Sequence, residues 1–270
     1  MPIHICVTCG TSFPDASEPP GRCPSCDDER QYVPDTGQRW TTPGALASGH
    51  SNAWRQLEPD LFELRTYPAF GIGQRAFLIR TPNGNVLWDC IALIDDATFA
   101  LVKSLGGLAG IAISHPHYYT TMQDWASAFG VPVHLHARDR DWVMRRDERL
   151  AFWDEDEKEL LPGLTLLRLG GHFPGGTVLH WQAGGEGLGA LMAGDIVQVG
   201  SDRKSVSFLW SYPNRLPLSG ASVERIAARL ADRPFERVYG AFGLHVGQEG
   251  HAVVQRSAER YRDLLGGEQP

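Results

Sequence analysis

The sequence predicts a mixed α+β protein in two parts: a cysteine-rich module over residues 1–40, and a larger domain over residues 41–270 whose sheets are covered by helices. Three observations predict it. Cys6, Cys9, Cys23 and Cys26, four of the five cysteines, lie together at the N-terminal end. From about Trp54 onward, short apolar runs alternate with stretches of helical periodicity, the order expected of sheets packed under helices. Histidines and an aspartate fall just past several of the apolar runs, where loops gather around an open site.

Size and charge narrow the function classes. The chain has 270 residues, against roughly 150 for an average domain. It is long enough to bury one large core without disulfides. Lysine and arginine number 25 against 32 aspartates and glutamates, a formal charge of −7. A nucleic-acid binder needs a basic face, so nucleic acid is not an expected partner. No membrane span is expected, because the sequence lacks a long unbroken apolar run. Residues 1–10 do not show the basic-then-apolar pattern of a secretory leader. The cysteine spacing is that of metal ligands rather than of a disulfide framework, which points to a reducing, cytoplasmic setting.

The N-terminal module reads Cys6-x-x-Cys9, thirteen residues, then Cys23-x-x-Cys26. Each pair suits a tight knuckle turn, with Gly10 after the first pair and Pro24 inside the second. Four thiolates close a tetrahedral shell around Zn²⁺ and leave no open position, so the ion is expected to be structural. A segment this short and poor in aliphatic residues cannot fold on its own core. Zinc binding, on the order of 10 kcal/mol in finger peptides, would supply the missing stability.

Further along, residues 76–80 and 86–90 read as strands joined by Thr81-Pro82-Asn83-Gly84-Asn85, whose Asn-Gly pair signals a hairpin. Phe99, Val102 and Leu105 form one stripe of a helix over 95–105, stopped by Gly106. Residues 111–114 are a short buried strand running into His115. Met122, Trp125, Ala126 and Phe129 predict a helix over 120–129, ended by Gly130. Strands follow at 131–137, 164–169, 178–181 and 190–193. Val223, Ile226, Ala227 and Leu230 mark a helix stopped near Pro234. Residues 238–242 form the last strand, and Val254, Ser257, Ala258 and Tyr261 line a final helix. The acidic run 154–159 reads as a solvated helix face or loop. Residues 210–214 read as part of a long link beside the site, with Tyr212 packing.

The chemistry concentrates in four segments. Ser114-His115-Pro116-His117-Tyr118-Tyr119-Thr120 places two histidines at i, i+2 where a strand gives way to a helix. Gly170-Gly171-His172-Phe173-Pro174-Gly175-Gly176 sets a histidine in a glycine-rich loop between strands. Ala193-Gly194-Asp195 and Gly243-Leu244-His245 each follow a strand. In this order the segments resemble the metallo-β-lactamase fold superfamily, which includes glyoxalase II-type thioesterases, lactonases and persulfide dioxygenases. The resemblance spans about residues 65–250. It implies an αββα four-layer sandwich with the metal at one edge, and Asp89 matches the acidic residue that follows the family's hairpin.

The family pattern His-x-His-x-Asp-His falls on His115, His117, Tyr119 and Thr120. The resemblance implies His115, His117 and His172 as ligands of a first metal. It implies Asp195 as a bridging carboxylate and His245 as the last ligand, belonging to a second metal. Tyr119 stands where the family has Asp, and Thr120 where it has His. The second position loses two ligands, so the expectation is one ion, Zn²⁺ or Fe²⁺, held by His115, His117, His172 and Asp195. His245 then serves as proton carrier or substrate contact, and Tyr119 or Tyr118 as donor to a developing oxyanion. The implied activity is hydrolysis of a small ester, thioester or lactone by metal-activated water. Two other readings stay open. His115, His172 and Asp195 would suit a mononuclear iron dioxygenase. A degenerate, non-catalytic binding protein would instead use the zinc module to dock a protein partner.

Other polar residues carry plainer expectations. His134, His136 and His180 are structural or surface histidines. Cys90 is a small buried residue, and Asp89 orients a metal-bound histidine or water. Asp124 is a solvated or capping carboxylate rather than a replacement ligand.

Overall fold

The structure, a computed structural model, describes residues 1–267. Backbone contacts divide the chain into two compact units, Met1–Trp153 and Asp154–Pro270. No helix among the described residues is long and apolar enough to cross a membrane.

In the first unit, a seven-stranded sheet runs in the order Leu150–Trp153, Val133–His136, Gly110–Ala112, Val86–Trp88, Ala76–Ile79, Leu61–Tyr67, Ser51–Glu58. The first four strands are mutually parallel and the others antiparallel. Val86–Trp88 and Gly110–Ala112 are buried throughout, as parallel strands covered on both faces must be. The Asn-Gly link turns Ala76–Ile79 into its antiparallel partner as expected. Helix Asp96–Ser104 buries Thr98 and Val102 and leaves Phe99, expected on the buried stripe, exposed and stacked on Phe129, whereas Met122–Phe129 buries Met122, Trp125 and Ala126 of its predicted stripe. Asp95 caps the first by accepting from the Thr98 amide, and Gly130 ends the second in the left-handed region.

The cysteine module is part of this unit. Its small sheet has the order Ser12–Phe13, His4–Cys6, Trp40–Thr41. The four cysteines form a core with Phe13, against which Trp40 packs. Behind it, Ile5 packs with Leu46, Ala92 and Leu93, so the module shares apolar contacts with the segment that follows Val86–Trp88.

The second unit holds a six-stranded sheet: Glu157–Leu161, Leu164–Arg168, Thr177–Trp181, Ala190–Gly194, Arg237–Gly240, His245–Val246. Ala190–Gly194 and Arg237–Gly240 are parallel. Helices Gly220–Leu230 and Gly250–Gly266 bury Val223, Ile226, Leu230, Val253 and Val254 in one core with Val178, Leu191, Phe208 and Val238. Two sequence expectations are revised here. The acidic run is not helix or loop throughout: Glu157–Leu161 is an edge strand paired with Leu164–Arg168, its charges pointing to water as sheet edges favour. The link around 210–214 is partly ordered, since Leu209–Ser211 pairs with Leu216–Pro217.

Candidate metal centres

The four cysteines are buried and none is in a disulfide. Cys6 Sγ lies 3.6 Å from Cys26 Sγ, and Cys9 Sγ 3.6 Å from Cys23 Sγ. A tetrahedron with Zn–S near 2.3 Å has edges of about 3.8 Å, whereas a disulfide would need about 2.05 Å. Hydrogen bonds from Cys23, Cys26 and Cys9 pull the Cys6 thiol far below its usual range. Hydrogen bonds to the neighbouring sulfurs push Cys9 and Cys26 far up, and burial adds to this. Full ionisation of four buried sulfurs in mutual contact needs a cation. The Gln38 amide donates to Cys6 Sγ at 2.9 Å. The donor set fits a structural divalent ion.

In the first unit, the strand ends deliver the paired histidines. Asp89, at φ 59°, follows Val86–Trp88, and its Oδ1 accepts the Ser114 amide at 2.8 Å. Ser114 Oγ lies 2.9 Å from His115 Nδ1, so the other ring nitrogen, Nε2, is the one left to ligate. His117 sits on the 3₁₀ turn Pro116–Tyr118. The rings of His115 and His117 are 5.2 Å apart, and Tyr118 lies 4.3 Å from His115. Thr120 adopts φ 38° before the helix Met122–Phe129 begins.

In the second unit, His172 is fully buried, with Nδ1 2.8 Å from the Trp210 carbonyl. A carbonyl only accepts, so Nδ1 carries the proton and Nε2 the lone pair of the neutral ring. Tyr212 packs edge-on to His172 at 5.4 Å, and its hydroxyl donates to the Asp195 main-chain carbonyl at 2.6 Å. Burial, with Asp195 and Tyr261 adding to it, holds that hydroxyl protonated. Asp195 itself directly follows the strand Ala190–Gly194.

His115, His117, His172 and Asp195 each offer one ligand atom, and these atoms all lie within 4.8 Å of one another. All four residues are buried. Three imidazoles and a carboxylate suit zinc or a non-haem iron, so the donor set fits the implied ion. His245 stands outside this group of four and stacks on Tyr239 at 5.6 Å. Tyr119 is buried; burial and the nearby Asp139 raise its pKa well above the usual tyrosine value.

The remaining candidates have structural partners. Asp124 pairs with Arg145 at 2.9 Å. His180 Nε2 donates to the Pro234 carbonyl, and the His136 ring packs edge-on to Trp153. Burial pushes the Cys90 thiol far up, which leaves it inert. Sequence reasoning missed Ser114 and the Trp210 carbonyl. A serine directly before the first histidine was a usable signal. A main-chain oxygen carries none.

No family model matches the chain. It is 45% identical over 270 residues to the uncharacterized protein YmaE of Bacillus subtilis (strain 168), covering 99% of this chain and 98% of that one. Among solved structures it is similar to the metallo-β-lactamase DIM-1, at 15% identity and TM-score 0.57 over 78% of this chain and 98% of that one. It is also similar to the mono-zinc form of FIM-1 from Pseudomonas aeruginosa, at 13% identity and TM-score 0.55, covering 78% of this chain and 96% of that one. A B3 metallo-β-lactamase with an active-site glutamic acid matches at 18% identity and TM-score 0.52, covering 80% of this chain and 89% of that one.

Proposed function

The chain belongs to one family with YmaE and has the metallo-β-lactamase fold, and from that premise we propose that it is a metal-dependent hydrolase of a small ester, thioester or lactone. The observation that carries the reading is the group of His115, His117, His172 and Asp195, with ligand atoms within 4.8 Å of one another. A divalent ion held there would polarise a carbonyl and bring the pKa of a bound water toward ~7.

The chain's own residues supply the rest. Ser114 and the Trp210 carbonyl fix the orientation of two imidazoles before substrate arrives. The Asp195 carboxylate either ligates or takes a proton from the attacking water. The Tyr119 hydroxyl, kept protonated, is the donor assigned to the developing oxyanion. His245 is the proton carrier to the leaving oxygen or sulfur. One ion is the proposed count, because Tyr119 and Thr120 replace a carboxylate and an imidazole with neutral hydroxyls, which are weak ligands. The four-cysteine ion is proposed to be zinc with a structural role.

Metal analysis of protein purified without chelators tests the reading, together with turnover on an ester, thioester and lactone panel. His172→Ala should remove the histidine-held ion while the four-cysteine ion stays. Turnover should fall by about 10³-fold, since Lewis-acid activation supplies several kcal/mol. Unchanged turnover in a folded His172→Ala protein overturns the proposal. Iron with oxygen uptake would replace hydrolysis by oxygenation.

A further inference from the structure

We infer that the four-cysteine module is a positioning element for the histidine loop, and that Ser12 is the residue that transmits its order. The inference rests on the metal-site reading above and adds a dependence of one site on the other.

The contact is specific and buried. The Ser12 amide donates to the Thr120 carbonyl at 3.0 Å, and the Ser12 hydroxyl donates to the same oxygen at 2.8 Å. Ser12 and Thr120 are each 2% exposed. Thr120 is the residue at which the chain leaves the turn carrying His117 and enters the helix Met122–Phe129. It does so at φ 38°, a conformation that a β-branched residue adopts only when its surroundings impose it. Two donors converging on its carbonyl provide that constraint. On the far side of the same turn, Thr121 Oγ1 donates to the Ala92 carbonyl at 2.8 Å.

Ser12 in turn takes its place from the cysteine knuckle. The Gly10 amide donates to the Cys6 carbonyl at 2.8 Å, and the Cys6 amide to the Thr11 carbonyl at 2.9 Å. Cys9 Sγ lies 3.2 Å from Thr11 Oγ1. Gly10, at φ +83°, abuts the loop so closely that a Cβ there would stand 3.3 Å from Thr120 Cγ2. The path is therefore short: the cysteine ion shapes residues 9–12, these hold Thr120, and Thr120 sets the exit of the turn that presents His117. A knuckle without its ion has no core to keep that shape.

Cobalt at the histidine site, with zinc retained on the cysteines, gives a direct readout. Its d–d absorption is distinct from the thiolate-to-cobalt charge transfer of a cysteine site. Ser12→Ala should keep the cysteine zinc and the far-ultraviolet circular dichroism, weaken cobalt binding at the histidines about tenfold, and alter the d–d bands. Ser12→Thr, which retains the hydroxyl, should restore both. Wild-type cobalt affinity and spectrum in a folded Ser12→Ala protein would overturn the inference while leaving the hydrolase reading intact. If Ser12→Ala does not fold, a mercurial thiol reagent can strip the cysteine zinc from wild-type protein. The histidine-site bands should then bleach or shift, and unchanged bands would overturn the inference. Wild-type protein that takes up no cobalt outside the cysteines would instead sink the metal-site reading itself.

Discussion

Arg75 is fully buried, with Glu63 beside its guanidinium and the Phe77 ring beneath it. Burial lowers its pKa to about 10, and the hydrogen bond and charge of Glu63 work against that fall. The cation therefore persists at neutral pH. Glu63→Ala should cost about 3 kcal/mol, because it removes the carboxylate facing a buried cation rather than trimming a surface pair; urea denaturation of the two proteins would measure it. The same logic explains which single residues were legible in the sequence. His115, His117, His172 and Asp195 stand out because polar groups directly after apolar strands need a purpose. Ser12 does not stand out, since its partner is a main-chain oxygen more than a hundred residues away, and no spacing rule relates the two.

At the scale of elements, capping gives a pH-dependent test. Burial alone would raise the Asp95 pKa, but hydrogen bonds from the Thr98 side chain and from the Thr98 and Asn52 amides outweigh it, and the net shift is downward. A depressed carboxylate contributes stability that is complete above its unfolded pKa of roughly 3.9 and is lost as pH falls through the lower folded value. Asp95→Ala should cost about 1 kcal/mol at neutral pH, as for other N-caps. The difference from wild type should disappear in acid, which thermal melts across a pH series would reveal. The apolar spacing around Val102 and the stop at Gly106 made this helix readable, although its buried face turns on Thr98 and Val102 rather than on Phe99. The hairpin of Ser51–Glu58 and Leu61–Tyr67 was not, because its register shifts between Gln56 and Glu58 and its outer strand is largely exposed, which blurs the period of two. Glu157–Leu161 was misread for a related reason: an edge strand with charges facing water looks like a solvated segment.

For the whole molecule, the two centres should differ in what their loss does. Cys26→Ser breaks a closed shell that stands in for a hydrophobic core in the N-terminal module, so residues 1–41 should lose protection while the large sheets stay folded; hydrogen exchange of that segment would report it. Brief chelation that reaches only the imidazole-held ion should instead leave the fold intact and abolish turnover. The four-cysteine group could be read from its spacing, whereas the histidine group was legible only through the resemblance to the metallo-β-lactamase superfamily. Their linkage was legible in neither way, because it depends on packing of Ile5, Ala92 and Leu93 and on the Ser12 contacts.

The bond from His172 to the Trp210 carbonyl has a consequence for substitution at position 210. Every amino acid brings the same oxygen to position 210, so mutation there cannot delete the acceptor. The imidazole's tautomer is thereby held by the backbone, so a replacement at 210 that still packs on the core beside Phe208 would keep it.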